Sequence, residues 1–143
     1  MKHKIRILSI SIIILAVFSV STARAGSYNR TNAVNYADTW AHDRNSAYKS
    51  YGSGCGCTDC TNYVSQALYN EGYPMRTGNW NADSYFEWWS RIYLFVKQNS
   101  KTWSATDWFN TYLAQFPSEF QYVTSYTSLS GGDFFLLDLT GDG

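Results

Sequence analysis

Apolar residues recur at helical spacing three times along the chain, and each recurrence predicts a helix. Ala33, Tyr36, Ala37, Trp40 and Ala41 form one stripe from Asn29 onward that fades near Asn45. A second helix is expected from about Cys60 to Asn70, with Asp59 or Thr58 as N-cap and Gly72 as its stop. Its buried side is expected to hold Tyr63, Val64, Ala67 and Leu68, with Cys60 on the same side. Ser104-Ala105-Thr106-Asp107 reads as the cap of a third helix, in which Trp108, Phe109, Tyr112, Leu113 and Phe116 share a face until Pro117 closes it.

Elsewhere the pattern turns strand-like. Aromatic and β-branched residues between Trp80 and Gln98 predict one or two strands, although Tyr85 to Val96 also carries a helical reading. Phe120 to Tyr126 reads as extended, Gly131-Gly132-Asp133 as a turn, and Phe134 to Leu139, apolar on both faces, as a central strand. Thr140-Gly141-Asp142-Gly143 then opens a hairpin turn with no second strand after it. The expected fold class is therefore α+β, with N-terminal helices packed on a small antiparallel sheet that is incomplete at the C-terminus.

The N-terminal segment changes how the composition is read. Lys2, Lys4 and Arg6 precede an apolar run from Ile7 to Val20, and Ala23-Arg24-Ala25 stands before Gly26, which is the pattern of a signal peptide over residues 1–25. The run is short for a bilayer span and the residue after the cut is not cysteine. Export without stable membrane insertion is expected, leaving the product secreted or associated with the cell wall. Cutting after Ala25 of the 143-residue chain leaves 118 residues, enough for one domain over 26–143. The leader removes four cations, so seven basic groups face eleven acidic ones, a net charge of −4 that argues against a nucleic-acid partner. All six tryptophans and all twelve tyrosines lie in the remainder, where they suit a small core and could also stack on sugars or peptides.

The candidate chemistry sits between Cys55 and Leu68, C-G-C-T-D-C-T-N-Y-V-S-Q-A-L. Cys60 falls at the first turn of the second helix, where amides without intrahelical partners and the macrodipole favour a thiolate. Such a nucleophile needs a base, and beyond the leader His42 is the one histidine. It stands beside Asp43 and Arg44 where the first helix turns polar, so a solvent-facing role is expected. Asp59 is read first as a cap, because a carboxylate beside the thiol opposes the helix-terminus effect. Asn62 and Gln66 share a face at i and i+4, which helix-surface polarity explains. Cys57-Thr58-Asp59-Cys60 is also a C-x-x-C, open to a disulfide or redox reading, and the odd count leaves one cysteine over. A zinc site from Cys55, Cys57 and Cys60 would need a fourth ligand, and the Asp138 to Gly143 segment matches only the opening of a calcium loop. No metal or other cofactor is expected.

Tyr28-Asn29-Arg30, Ala33-Val34, Tyr36-Ala37 and above all D-C-T-N-Y-V-S-Q-A-L from Asp59 to Leu68 resemble the bacterial putative amidase domain family. Gly72, Pro74-Met75, the Ser104-led helix and the Gly132-Asp133 turn fit the same family over the rest of the chain. That family in turn resembles the papain-like superfamily that includes CHAP and NlpC-type peptidases. The resemblance implies a papain-like fold, Cys60 as nucleophile, and a histidine base on a strand that follows the equivalent of Phe134 to Leu139. It also implies attack on an amide carbonyl, a thioester, and release by water. The Cys60 amide is a candidate oxyanion donor.

Two functional readings follow. The first is an exported cysteine amidase or peptidase acting on an amide or peptide substrate, cell-wall peptide (peptidoglycan) among the candidates. In this reading the 143-residue product is a fragment or truncation that hydrolyses no amide until extended through its base-bearing strand. The second is a non-catalytic exported module that binds a glycan or peptide through its aromatic residues, with the cysteines as a structural staple.

Overall fold

The structure is a computed structural model that describes residues 28–51, 59–123 and 125–134. The expected signal peptide, Cys55, Cys57 and the segment from Phe135 to Gly143 lie outside the described residues. Four helices and one hairpin follow in chain order: α1 (Arg30–Trp40), α2 (Cys60–Asn70), β1 (Ser90–Tyr93), β2 (Val96–Asn99), α3 (Lys101–Ser104) and α4 (Thr106–Ala114). A 3₁₀ turn occupies Tyr126–Ser128. The helices pack mainly along the chain, α1 on α2, α2 on α3 and α3 on α4. Mixed helices with a two-stranded antiparallel sheet bear out the α+β expectation at that level.

α1 starts where the sequence says it should. The Asn29 side chain accepts from the Asn32 amide at 3.1 Å, a standard N-cap bond. The helix ends at Trp40, short of Asn45, because Asp43 and Asn45 turn their side chains onto the Arg44 and Ala47 amides and so compete with helix propagation. The third helix arrives as two pieces. Ser104 closes α3 and its hydroxyl donates back to the Ser100 carbonyl at 3.4 Å, while Ala105, extended at ψ 129°, begins α4 with no side-chain cap. The S-x-x-D signal marked the right place but the wrong chemistry. Phe120 to Tyr126 forms no strand among the described residues, and Tyr85 to Val96 is not helical.

Two of the large aromatic residues seed the core. Trp88 and Trp103 are fully buried and lie 4.5 Å apart between ring centroids, with Leu68, Tyr73, Phe109, Tyr112 and Leu113 around them. Trp88 is fixed by an isolated antiparallel bridge to Arg76, so the chain before β1 is already extended where it enters the core. Phe134 reaches back onto Phe109 at 5.5 Å.

β1 and β2 pair from Ser90↔Asn99 to Tyr93↔Val96, which leaves Leu94 and Phe95 as a two-residue turn. Both have positive φ, 48° and 66°. That is the geometry of a type I′ turn, which ordinarily takes Asn-Gly, and two large side chains there cost about 1–2 kcal/mol each.

A second close approach holds the two ends of the described chain together. The Arg30 guanidinium bonds the Asp133 carboxylate at 2.5 Å and the Gly131 carbonyl at 3.3 Å, and the Tyr28 hydroxyl donates to the Gly132 carbonyl. Gly132 has φ 89°, and a Cβ placed there would stand 2.9 Å from Arg30 Cβ. Gly132→Ala should therefore lower unfolding free energy by about 2 kcal/mol in chemical denaturation. A loss below about 0.5 kcal/mol would mean that the clasp does not hold in solution.

Candidate active site

Cys60 is the first residue of α2 and is exposed. Asp59 occupies the N-cap position, and its carbonyl receives the Tyr63 amide at 2.9 Å, the first bond of the helix. Its carboxylate makes no cap bond. Instead one oxygen accepts from Asn62 Nδ2 at 2.7 Å and the other from Arg44 Nη1 at 2.6 Å. The cap expectation is right about place and wrong about partner. The pairing matters chemically, since the Arg44 charge offsets much of the repulsion that Asp59 would exert on an anion at the neighbouring sulfur.

The orientation of α2 reverses the expected faces. Thr61, Asn62, Ser65 and Gln66 are buried with Leu68, while Tyr63, Val64 and Ala67 are half-buried and Cys60 faces outward. The reason lies in the indoles opposite. Trp103 Nε1 donates to Asn62 Oδ1 at 2.8 Å and Trp88 Nε1 to Ser65 Oγ at 3.1 Å. A buried indole N–H without an acceptor is costly, so the helix turns its acceptors inward. Asn62 Nδ2 also donates to the Lys49 carbonyl at 3.0 Å, which ties the loop at Lys49 to the helix start. Gln66 accepts from the Tyr36 hydroxyl at 2.6 Å, and Asn45 donates to that same hydroxyl at 3.0 Å. Asn62 and Gln66 are therefore not surface polarity. The available signal was the number of tryptophans and tyrosines, whose N–H and O–H groups usually find a polar partner when buried.

A cleft of about 610 Å³ runs beside this helix start, between Arg44, Lys49, Asp59, Asn62, Tyr63 and the β2 edge at Val96. Cys60 is not among its lining residues. His42 is exposed just beyond the α1 C-cap, Ala41, as its polar neighbours predict, and does not line the cleft either. The structure thus brings Asp59, Arg44 and Asn62 together around the helix start and does not bring His42 into that group. Among the described residues no three His, Cys, Asp or Glu side chains converge as a metal site.

At the other end of α2 stands a buried carboxyl. Glu71, the C-cap, is 4 % exposed, and among the described residues neither oxygen has a hydrogen-bond donor. Burial pushes its pKa up to about 8, with the Tyr28 hydroxyl and the Arg30 guanidinium pulling the other way. Glu71 thus joins the Tyr28, Arg30 and Gly132-Asp133 clasp.

The structure thus sets an exposed thiol at the first residue of α2, on an α+β domain whose helix is held by buried polar bonds. The chain belongs to the family described as the putative amidase domain, whose model matches residues 27–143. It is 35% identical over 124 residues to the uncharacterized protein YhbB of Bacillus subtilis (strain 168). That match covers 84% of this chain and 35% of the relative, so the chain spans about a third of the length of the curated relative it matches. No solved structure matches the chain.

Two outcomes are expected. Asn62→Ala strands the Trp103 N–H and the Lys49 carbonyl and should cost about 2–3 kcal/mol in denaturant unfolding, whereas a loss within 0.5 kcal/mol would show that water replaces it at no cost. Glu71 is neutral in the folded protein up to about pH 8 but ionises near its ordinary value of 4.5 when unfolded. The folded state binds the extra proton between those values, so stability should fall as pH rises from about 5 to 8 and level off above. Glu71→Gln should flatten that slope and add on the order of 3 kcal/mol at pH 8. An unchanged pH profile of the melting temperature would contradict it.

Proposed function

We propose that this chain is an exported, cysteine-dependent amide hydrolase in which Cys60 attacks the carbonyl carbon of an amide or peptide, with cell-wall peptide as the candidate substrate. The observation that carries the reading is the position of Cys60: exposed, first in an eleven-residue helix, in a chain of the putative amidase domain family. The Asp59–Arg44 pair supports it by offsetting the carboxylate of the residue that precedes Cys60 in the chain. In this reading the thiolate adds to the carbonyl carbon, and the developing oxyanion takes hydrogen bonds from first-turn amides of α2. Collapse expels the amine, which must gain a proton, and leaves a thioester that water cleaves. The sequence carries two histidines, His3 and His42, and the resemblance puts the base after the Phe134 to Leu139 segment. The proposal therefore assigns the nucleophile and no base. A papain-like arrangement and export through residues 1–25 are part of the same proposal.

The glycan- or peptide-binding alternative loses support from burial. Trp88, Trp89 and Trp103 are each 2 % exposed or less, so half of the tryptophans are core and not contact surface.

Thiol chemistry tests the reading without needing the base. Iodoacetamide should alkylate Cys60 in the folded chain at neutral pH, with peptide mapping to distinguish it from Cys55 and Cys57. Cys60→Ser should reduce the protein's amide hydrolysis by at least about a thousandfold. Resistance of Cys60 to alkylation until the chain unfolds, or hydrolysis that survives Cys60→Ser, would sink the proposal.

A further inference from the structure

Among the described residues the hairpin tip carries a run of exposed apolar side chains that the core does not use, although Phe95 and Val96 also border the cleft beside α2. Ile92, Tyr93, Leu94, Phe95 and Val96 are consecutive and all exposed, Leu94 at 74 % and Phe95 at 99 %. A ring that is 99 % exposed touches almost nothing of its own protein. The turn itself is strained, because Leu94 and Phe95 both hold the left-handed backbone that Asn and Gly adopt readily. Strain of this kind persists where the presented side chains have a use.

Leu94 and Phe95 are too exposed to enclose a small ligand, which needs a concave site. Its charge selects the partner. From Trp88 to Thr106 the chain carries Arg91, Lys97 and Lys101 and no carboxylate. Lys101 pairs with Asp83, but Arg91 and Lys97, which flank the tip, have no carboxylate partner among the described residues. Arg91 is held over the faces of Trp80, Trp89 and Tyr93, at 4.4, 5.1 and 5.1 Å, and Lys97 Nζ donates to the Ser46 carbonyl. Both cations are thus fixed just behind the apolar tip. The combination of Leu and Phe leading, Tyr93 behind them and two cations behind that matches the polarity gradient of a bilayer surface with anionic headgroups.

The geometry points to a peripheral membrane contact: the Leu94-Phe95 turn dips into the interface of an anionic lipid bilayer while Arg91 and Lys97 sit at its headgroups. This is a surface contact and not a span, and among the described residues no helix is long and apolar enough to cross a membrane. It is independent of Cys60 and of the reaction proposed above.

The full chain and its Leu94→Asn/Phe95→Gly variant are compared for binding to phosphatidylcholine vesicles with and without phosphatidylglycerol. The variant puts preferred residues into the same type I′ turn, so its melting temperature should hold or rise. Its partition onto the anionic vesicles should fall on the order of tenfold or more. Vesicles should also slow hydrogen exchange of the Ile92–Val96 amides in the parent chain, a local readout that the N-terminal residues do not affect, and added salt should weaken the binding. Equal partition of the two chains, or no vesicle-dependent protection at the tip, would overturn the inference. A dimer that the variant abolishes, in a chain that ignores vesicles, would equally overturn it and assign the tip to self-association.

Discussion

The structure depends on how the indole N–H groups of Trp88 and Trp103 are satisfied. Both rings are fully buried against α2, and both donors find acceptors on that helix, Ser65 and Asn62. A helix that presents acceptors to a core keeps only part of its apolar stripe there, here Leu68 with Val64 packed against the cluster. The choice of buried face is therefore made by two hydrogen bonds, each of which would leave a stranded donor if broken, and hydrophobic periodicity comes second. Asn62 extends the effect to the helix start, because the same amide fixes the Lys49 carbonyl and one oxygen of Asp59.

That rotation decides where the thiol goes. At 100° per residue Cys60 lies roughly 150° around the helix from the centre of the buried group Thr61, Asn62, Ser65, Gln66 and Leu68. Burying the polar face thus forces the sulfur outward. The polar core beneath α2 leaves the thiol reachable from solvent without a break in the helix. The same rotation brings Asp59 down toward Asn62 and Arg44, where its charge is compensated.

Much of the architecture was legible from pattern alone. α1 and α2 begin where the cap residues and periodicity put them, and the strands fall in the expected Trp80 to Gln98 region, β2 overrunning it by one residue at Asn99. Cys60 stands at the helix start that the motif demands. What pattern misjudged were polar residues whose partners are distant in sequence. Asn62 and Trp103 are 41 positions apart, and no local rule connects them. Ser104 was misread for a related reason: its hydroxyl is already committed to the end of α3, so α4 begins without it.

The two strained places in the chain differ in what holds them. Gly132 takes its positive φ at no side-chain cost, and the close approach of Arg30 explains why no larger residue stands there. Leu94 and Phe95 take the same backbone region at a cost that no contact within the described residues offsets, since both side chains point into solvent. The hairpin is held at its base, by Arg91 among three aromatic rings and by the Tyr51 hydroxyl bonded to Asn99, so the strain does not relax by opening the strands. A rigid base with an unsupported apolar tip is stable only as a compromise. The side of that compromise missing from the isolated chain is a surface for the tip to enter.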